Sequence, residues 1–150
     1  MPHSPRWYAD RLWVCESGSG TLGHFDLQTG RYEPIAEVPG FTRGLDLAGG
    51  LAFVGLSQVR ESAVFSGIPI TDRLAEDERT CGVCVVELAT GRVVALLRFE
   101  TAVQEVFAVA VLPGRQYPEL INDDETLLES SFVIPTEYLG EVAATVRATV

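Results

Sequence analysis

Few residues in this 150-residue chain have side chains suited to binding or reaction, and their types narrow the chemistry. All 11 bases are arginine and there is no lysine. His3, Arg6, Arg43, Arg60 and Glu61 form the candidate ligand-binding group, and Asp72 and Arg73 lie in the loop that follows. A guanidinium binds carboxylate or phosphate through two parallel hydrogen bonds, so several arginines with one histidine suit an anionic small molecule or peptide. Histidine adds an acid or base that works near neutral pH. Plainer readings stand beside this one. His3 is close to residue 1 and is read equally as an exposed side chain. Arg60-Glu61 is read equally as a surface ion pair of little energetic weight. Arg43 is read equally as a donor to loop carbonyls.

Other chemistries fit less well. A metal-dependent lactonase is the alternative enzyme reading, and it needs several oxygen ligands converging on one point. Glu16, Asp46 and Glu105 are its carboxylate candidates, and the only asparagine is Asn122. Glu16-Ser17-Gly18-Ser19-Gly20 lacks the leading glycine of a nucleophile elbow. A phosphate-binding loop of the Walker kind needs the lysine this chain lacks. Cys81-Gly82-Val83-Cys84 is a lone CxxC running into Val85-Val86-Glu87-Leu88, a strand-like stretch rather than the helix a redox motif would open. With Cys15 the cysteine count is odd, which argues against a disulfide framework. No metal and no cofactor are expected.

Charge excludes two partner classes. The 21 acids against 11 bases give a net charge of −10. Nucleic acid requires a basic face, and an anionic membrane surface requires the same. The acid is concentrated late. Residues 119–150 hold seven acids (Glu119, Asp123, Asp124, Glu125, Glu129, Glu137, Glu141) against Arg147. No apolar run approaches the roughly 18 residues of a membrane span. The first residues hold no apolar signal core, so the cytoplasm is the expected location.

The elements that must position these residues are short. Leu12–Cys15, Leu22–Leu27, Arg31–Val38, Gly44–Ala48, Leu51–Leu56, Gly82–Leu88, Arg92–Phe99 and Val106–Leu112 read as strands between glycine, proline and Thr-Gly turns. Gly49-Gly50 is a strong hairpin signal. Leu12–Ser17 aligns with Ala52–Ser57 at a spacing of 40, and Phe25–Arg31 aligns with Val86–Arg92 at a spacing of 61. The difference is an insertion of 21 residues after Ser57. His3 aligns with Arg43 at the first spacing. In antiparallel strands these residues, Glu16-Ser17 and the insertion share one end of the sheet, where loops carry function. After Tyr117 the pattern changes. Asn122 with Glu125 reads as a capping box opening a short helix, and Leu139, Val142, Ala143 and Val146 recur at helical spacing. Disorder is the competing reading of this acidic stretch.

The expected fold is therefore all-β: consecutive four-stranded antiparallel blades over residues 1–118, two blades and part of a third, followed by a short helical or disordered tail at 119–150. Four strands in about 40–45 residues is the size of a propeller blade. Leu12-Trp13-Val14 and Phe25-Asp26-Leu27-Gln28-Thr29-Gly30 resemble the repeats of YVTN and NHL-type β-propellers. Met1–Tyr8, Pro39–Leu45, Phe53–Ser57, Arg60-Glu61, Phe65–Pro69, Cys81–Val83 and Val109–Gly114 resemble an uncharacterised bacterial family of conserved hypothetical proteins carrying a domain of unknown function. Its members are longer, so the resemblance implies a C-terminal portion. Closed propellers have about 4–8 blades. The expected partners are thus further copies of the chain closing a ring, or the remaining blades of a longer parent. The leading functional expectation is a binding or scaffold module that recognises an anionic ligand; the alternative is a hydrolase with a site on the propeller axis.

Overall fold

A computed structural model describes residues 1–58, 67–115, 118, 123–130 and 136–141. The chain divides into two compact units, Met1–Val111 and Leu112–Val150. The first holds β1 (Pro2–Tyr8), β2 (Arg11–Glu16), β3 (Thr21–Asp26), β4 (Arg31–Glu37), β5 (Phe41–Ala48), β6 (Leu51–Ser57), α1 (Pro69–Arg73), β7 (Gly82–Glu87) and β8 (Val93–Arg98). They form two four-stranded antiparallel sheets, β1-β2-β3-β4 and β5-β6-β7-β8. The chain is therefore mostly β with few helices, as the strand spacing implies.

The two sheets carry the same register over their first three strands and at the ends of the fourth, where the irregularities fall two residues apart. Arg6 pairs with Trp13, and forty residues on Asp46 pairs with Phe53. Trp13 pairs with His24, and Phe53 pairs with Val85. Phe25 pairs with Tyr32, and Val86 pairs with Val93. Both first strands carry an irregularity near their start, between His3 and Arg6 and between Thr42 and Leu45. His3 and Arg43 lie within these irregular stretches, inside the first strands rather than ahead of them.

Alternation along each strand sends every second side chain to one face. On the first sheet that face holds Trp13, Cys15, Leu22 and Ala36, all buried. They pack with Leu45, Ala52, Val54, Leu56, Cys84 and Val86 of the second sheet. Leu22, Leu45, Leu56, Val54 and Val86 are fully buried. Each such side chain contributes about 1.5–3 kcal/mol through removal of apolar surface from water. Polar contacts fix the stacking. The Ser4 hydroxyl donates to the Arg43 carbonyl. The Gly50 N–H donates to the Tyr8 hydroxyl at 2.9 Å.

Two sequence expectations are corrected. Val106–Leu112 is not a strand: no described residue pairs with it in a ladder. Its amides go instead to side chains. The Val106 N–H donates to Ser57 Oγ at 3.0 Å and the Val111 N–H donates to Asp46 Oδ2 at 2.7 Å. The segment lies close on β5 and β6 because two glycines allow it. A Cβ on Gly44 would stand 2.7 Å from the Val109 nitrogen, and one on Gly55 would stand 2.9 Å from Val106 Cγ1. The second correction concerns the tail. Its helix α2 spans Glu125–Ser130, and its cap is Asp124, whose Oδ1 accepts the Leu127 N–H at 3.0 Å. Asn122, Val142, Ala143 and Val146 lie outside the described residues. A six-residue 3-10 helix follows at Thr136–Glu141. No helix among the described residues is long and apolar enough to cross a membrane.

Part of the 21-residue insertion is described, and it is fastened to the first sheet. Ile70 of α1 is fully buried and its N–H donates to the Gly18 carbonyl at 2.9 Å. The Arg73 guanidinium donates to the carbonyls of Ser19, Gly20 and Val38 at 3.0, 3.3 and 3.0 Å, and Glu37 lies 3.8 Å away. Arg73 is thus a clamp between α1, the β2–β3 turn and the end of β4.

The β1–β2 turn is sterically costly. Ala9 and Asp10 both take left-handed conformations (φ 48° and 57°), whereas the corresponding β5–β6 turn uses Gly49 and Gly50. A left-handed L-residue costs roughly 1–2 kcal/mol, and Asn-Gly is the dipeptide such a turn favours. Replacing Ala9-Asp10 by Asn-Gly is expected to raise unfolding free energy by about 0.5–1 kcal/mol, read from the urea midpoint.

Candidate functional site

Antiparallel order brings the starts of β1, β3, β5 and β7 to one end of the sheets, together with the ends of the other strands. This end holds a polar network. The Glu16 carboxylate accepts from the Met1 ammonium, from the Ser19 N–H at 2.7 Å and from the Ser19 hydroxyl. Ser19 Oγ stands 2.9 Å from Thr21 Oγ1, which stands 3.0 Å from the Tyr32 hydroxyl. Burial acts to raise the pKa of Glu16, but the donors outweigh it and hold the carboxyl down at about 2. Burial pushes Tyr32 up to about 12, against the hydrogen bond with Thr21.

Arg43 stands on the same end, on β5. Its guanidinium carbon lies 4.2 Å from the centre of the Phe107 ring, and Nη1 lies 3.6 Å from Glu105 Oε2. The side chain is 29% exposed. A contact of 3.6 Å is an ion pair without a hydrogen bond. The cation is thus oriented by stacking and by charge, and among the described residues its guanidinium donates no hydrogen bond. His3 is half-buried on β1, and the hydroxyl of its neighbour Ser4 bonds the Arg43 carbonyl. Arg6 is exposed, and its Nη1 donates to the Pro5 carbonyl at 3.0 Å. Asp72 is exposed on α1, and Arg73 is the clamp described above. Arg60 and Glu61 lie outside the described residues.

The carboxylates of the alternative reading each have their own partners: Glu16 in the network above, Asp46 on the Val111 N–H, Glu105 beside Arg43. Among the described residues no group of three His, Cys, Asp or Glu side chains could hold a metal ion.

The other end of the first sheet holds a cleft that sequence reasoning did not single out. It encloses about 320 Å³ and is lined by Asp10, Arg11, His24, Phe25, Asp26, Leu27 and Glu33. His24 is 6% exposed and meets Trp13 edge-on at 5.2 Å between ring centres. Arg11 Nη1 lies 2.6 Å from His24 Nε2, and Glu33 Oε2 lies 3.7 Å from the same nitrogen. Arginine only donates, so Nε2 accepts and the ring proton of the neutral imidazole sits on Nδ1. The available signal was register: a histidine directly opposite Trp13 shares its buried face. Three carboxylates against Arg11 make this cleft acidic, unlike the Arg43 surface.

The cysteines are not nucleophiles. Burial pushes Cys15 up to about 12 and Cys84 up to about 11, and it also raises Cys81. All three are free and buried, with Cys84 in β7 and Cys81 just before it. The reactive species is the thiolate, which these sites disfavour. Alkylation of the native protein at pH 8 is expected to be at least about a hundredfold slower than after denaturation, followed by mass spectrometry of intact protein. The network makes a second prediction. Glu16 is held below its ordinary value of 4.5, so its contribution to stability is complete above that pH and is lost as pH falls through about 2. Glu16→Gln is expected to remove this acid-dependent part, on the order of 1 kcal/mol once screening by solvent is allowed for. Urea midpoints of the two proteins should converge as pH falls from 5 towards 2; parallel curves would show that Glu16 is not the group lost.

A search of curated proteins and a search of solved structures each find no match. One family model matches, over residues 1–121, which is the whole of the two-sheet unit and the start of the next. Both sheets, both irregular first strands and the Arg43–Glu105–Phe107 contact fall inside that span, and the chain belongs to the family described as a domain of unknown function, DUF4915.

Proposed function

We propose that residues 1–111 form two blades of a propeller-type binding module, and that Arg43 is the anchor for an anionic small molecule or peptide. The shared register at spacings of 40 and 61 residues supports reading the two sheets as copies of one blade unit. It also supports a further blade, because the outer face of the second sheet leaves Leu97 59% exposed where the matching Ala36 of the first sheet is 7% exposed.

The observation that carries the ligand reading is the state of Arg43. A guanidinium stacked on Phe107 and held by Glu105 without a hydrogen bond has already lost much of its rotamer freedom. An incoming carboxylate or phosphate would take the open fork two-pronged. Glu105 orients the cation and also competes with the ligand. His3, one strand away beside Ser4, is the nearest candidate for a second contact.

This dual role of Glu105 gives the test. Inorganic phosphate, titrated by NMR or calorimetry, is the probe. Arg43→Gln is expected to weaken its binding about tenfold or more, the cost of losing a charge-assisted pair. Glu105→Gln is expected to strengthen binding several-fold by removing the competing carboxylate. Phosphate binding that ignores both substitutions, in variants that melt like the parent, would sink the reading.

A further inference from the structure

In the acidic cleft of the first sheet, one nitrogen faces two charges of opposite sign. Nε2 of His24 stands 2.6 Å from Arg11 Nη1 on β2 and 3.7 Å from Glu33 Oε2 on β4. Register places them there. Trp13 is opposite His24 and His24 is opposite Glu33, so Arg11, two residues before Trp13, shares their face. Each neighbour can bond Nε2 in one protonation state alone. A guanidinium has donors and no acceptor and keeps its charge, so Arg11 needs the Nε2 lone pair. A carboxylate has acceptors and no donor, so Glu33 needs a proton on Nε2. The shorter distance is a hydrogen bond and the longer one is not, so the structure is the Arg11-bound state with a neutral ring.

We infer that His24 is a proton-operated latch on this cleft: the neutral ring holds Arg11 across it, and uptake of one proton from solvent at Nε2 releases Arg11 and passes the ring to Glu33. Histidine is the side chain whose ordinary titration falls between about pH 5 and 8. The exchange needs no change of fold. Arg11 is exposed, so the released guanidinium goes to water. Glu33 closes the remaining gap of about 1 Å by rotating its side chain. The imidazole stays edge-on against Trp13, whose indole N–H is fixed on the Tyr8 carbonyl at 3.0 Å.

The other charged groups around His24 act on its charge without reaching Nε2. Asp26, two residues on in β3, is held below the usual carboxylate range by hydrogen bonds from Gln28 and Thr29 and stays ionised throughout. Asp26 and Asp10, which also line the cleft, favour the charged ring. Arg6, opposite Trp13, and Arg31, opposite Asp26, favour the neutral one. The Tyr8 hydroxyl is engaged with the Gly50 N–H. Among the described residues only Arg11 and Glu33 compete for Nε2. The latch does not rest on the anion reading. Arg43 belongs to the second sheet, and loss of phosphate binding there would leave His24 untouched.

The test is nitrogen-resolved NMR of the arginine Nε–H groups from about pH 8 to about pH 5, with the Arg11 signal identified by its loss in Arg11→Gln. As pH falls, that signal is expected to move from a held to a free position along the same curve as the His24 ring protons. His24→Gln keeps an acceptor for Arg11 and cannot gain a proton, so its Arg11 signal is expected to stay put. Glu33→Gln, at a side chain 55% exposed, leaves the core untouched. It removes the charge that receives the protonated ring and is expected to shift the transition to lower pH by about half a unit or more. Unchanged melting at pH 8 shows that each variant folds. An Arg11 signal that ignores the titration of the His24 ring overturns the inference, and so does a ring that takes up no proton in this range while the chain stays folded. A transition that survives in His24→Gln, or that Glu33→Gln leaves in place, overturns it equally.

Discussion

The apolar layer between the two sheets is the interaction on which the rest of the first unit depends. A sheet with an apolar face must bury it against another element, and each sheet here buries such a face on the other. Because Trp13, Cys15, Leu22 and Ala36 meet Leu45, Ala52, Val54 and Leu56, the first strands β1 and β5 are brought side by side. That proximity is what sets Ser4 against Arg43. The layer also explains the inert cysteines. Cys15 and Cys84 serve as small apolar side chains at its centre, where burial disfavours a thiolate.

A stack of like sheets has a consequence at its ends. Each sheet presents one face to the next, so the last sheet keeps an uncovered face until something follows it. Residues 104–111 cover part of it, over Gly44 and Gly55, without contributing a ladder. That segment carries both groups that hold Arg43, Glu105 by charge and Phe107 by stacking. The candidate ligand surface is therefore built by the stacking step itself: the arginine belongs to one sheet and its support to the chain that continues past it.

Strand positions and the two spacings were legible in the sequence wherever glycine marked the turns. Gly49-Gly50 announced the β5–β6 hairpin, but the equivalent Ala9-Asp10 turn carries no such mark, and β1 with its two prolines was not read as a strand. Val106–Leu112 has strand composition, yet composition does not reveal that Ser57 and Asp46 take its amides. Arg43 was legible as a candidate because its position matched His3. The cleft around His24 was not, because a histidine on an apolar face declares itself only once its register is known. Arg73 looked like a loop cation and is a clamp on three carbonyls, a role that depends on where a 21-residue insertion turns back.

The contrast between the two outer strands follows from the same geometry. Stacking satisfies faces but never edges, so every sheet added to such a stack brings a new outer strand whose main-chain groups must be dealt with separately. β4 deals with them by charge and by Pro34. β8 has neither along Val93–Leu97, and its irregularity falls at a different place from that of β4. Two strands built on one plan and held in one environment would be free to share that protection. The strand lacking it instead carries valine and leucine on both faces and opposite charges at its two ends. An edge of that composition left in water is an aggregation hazard.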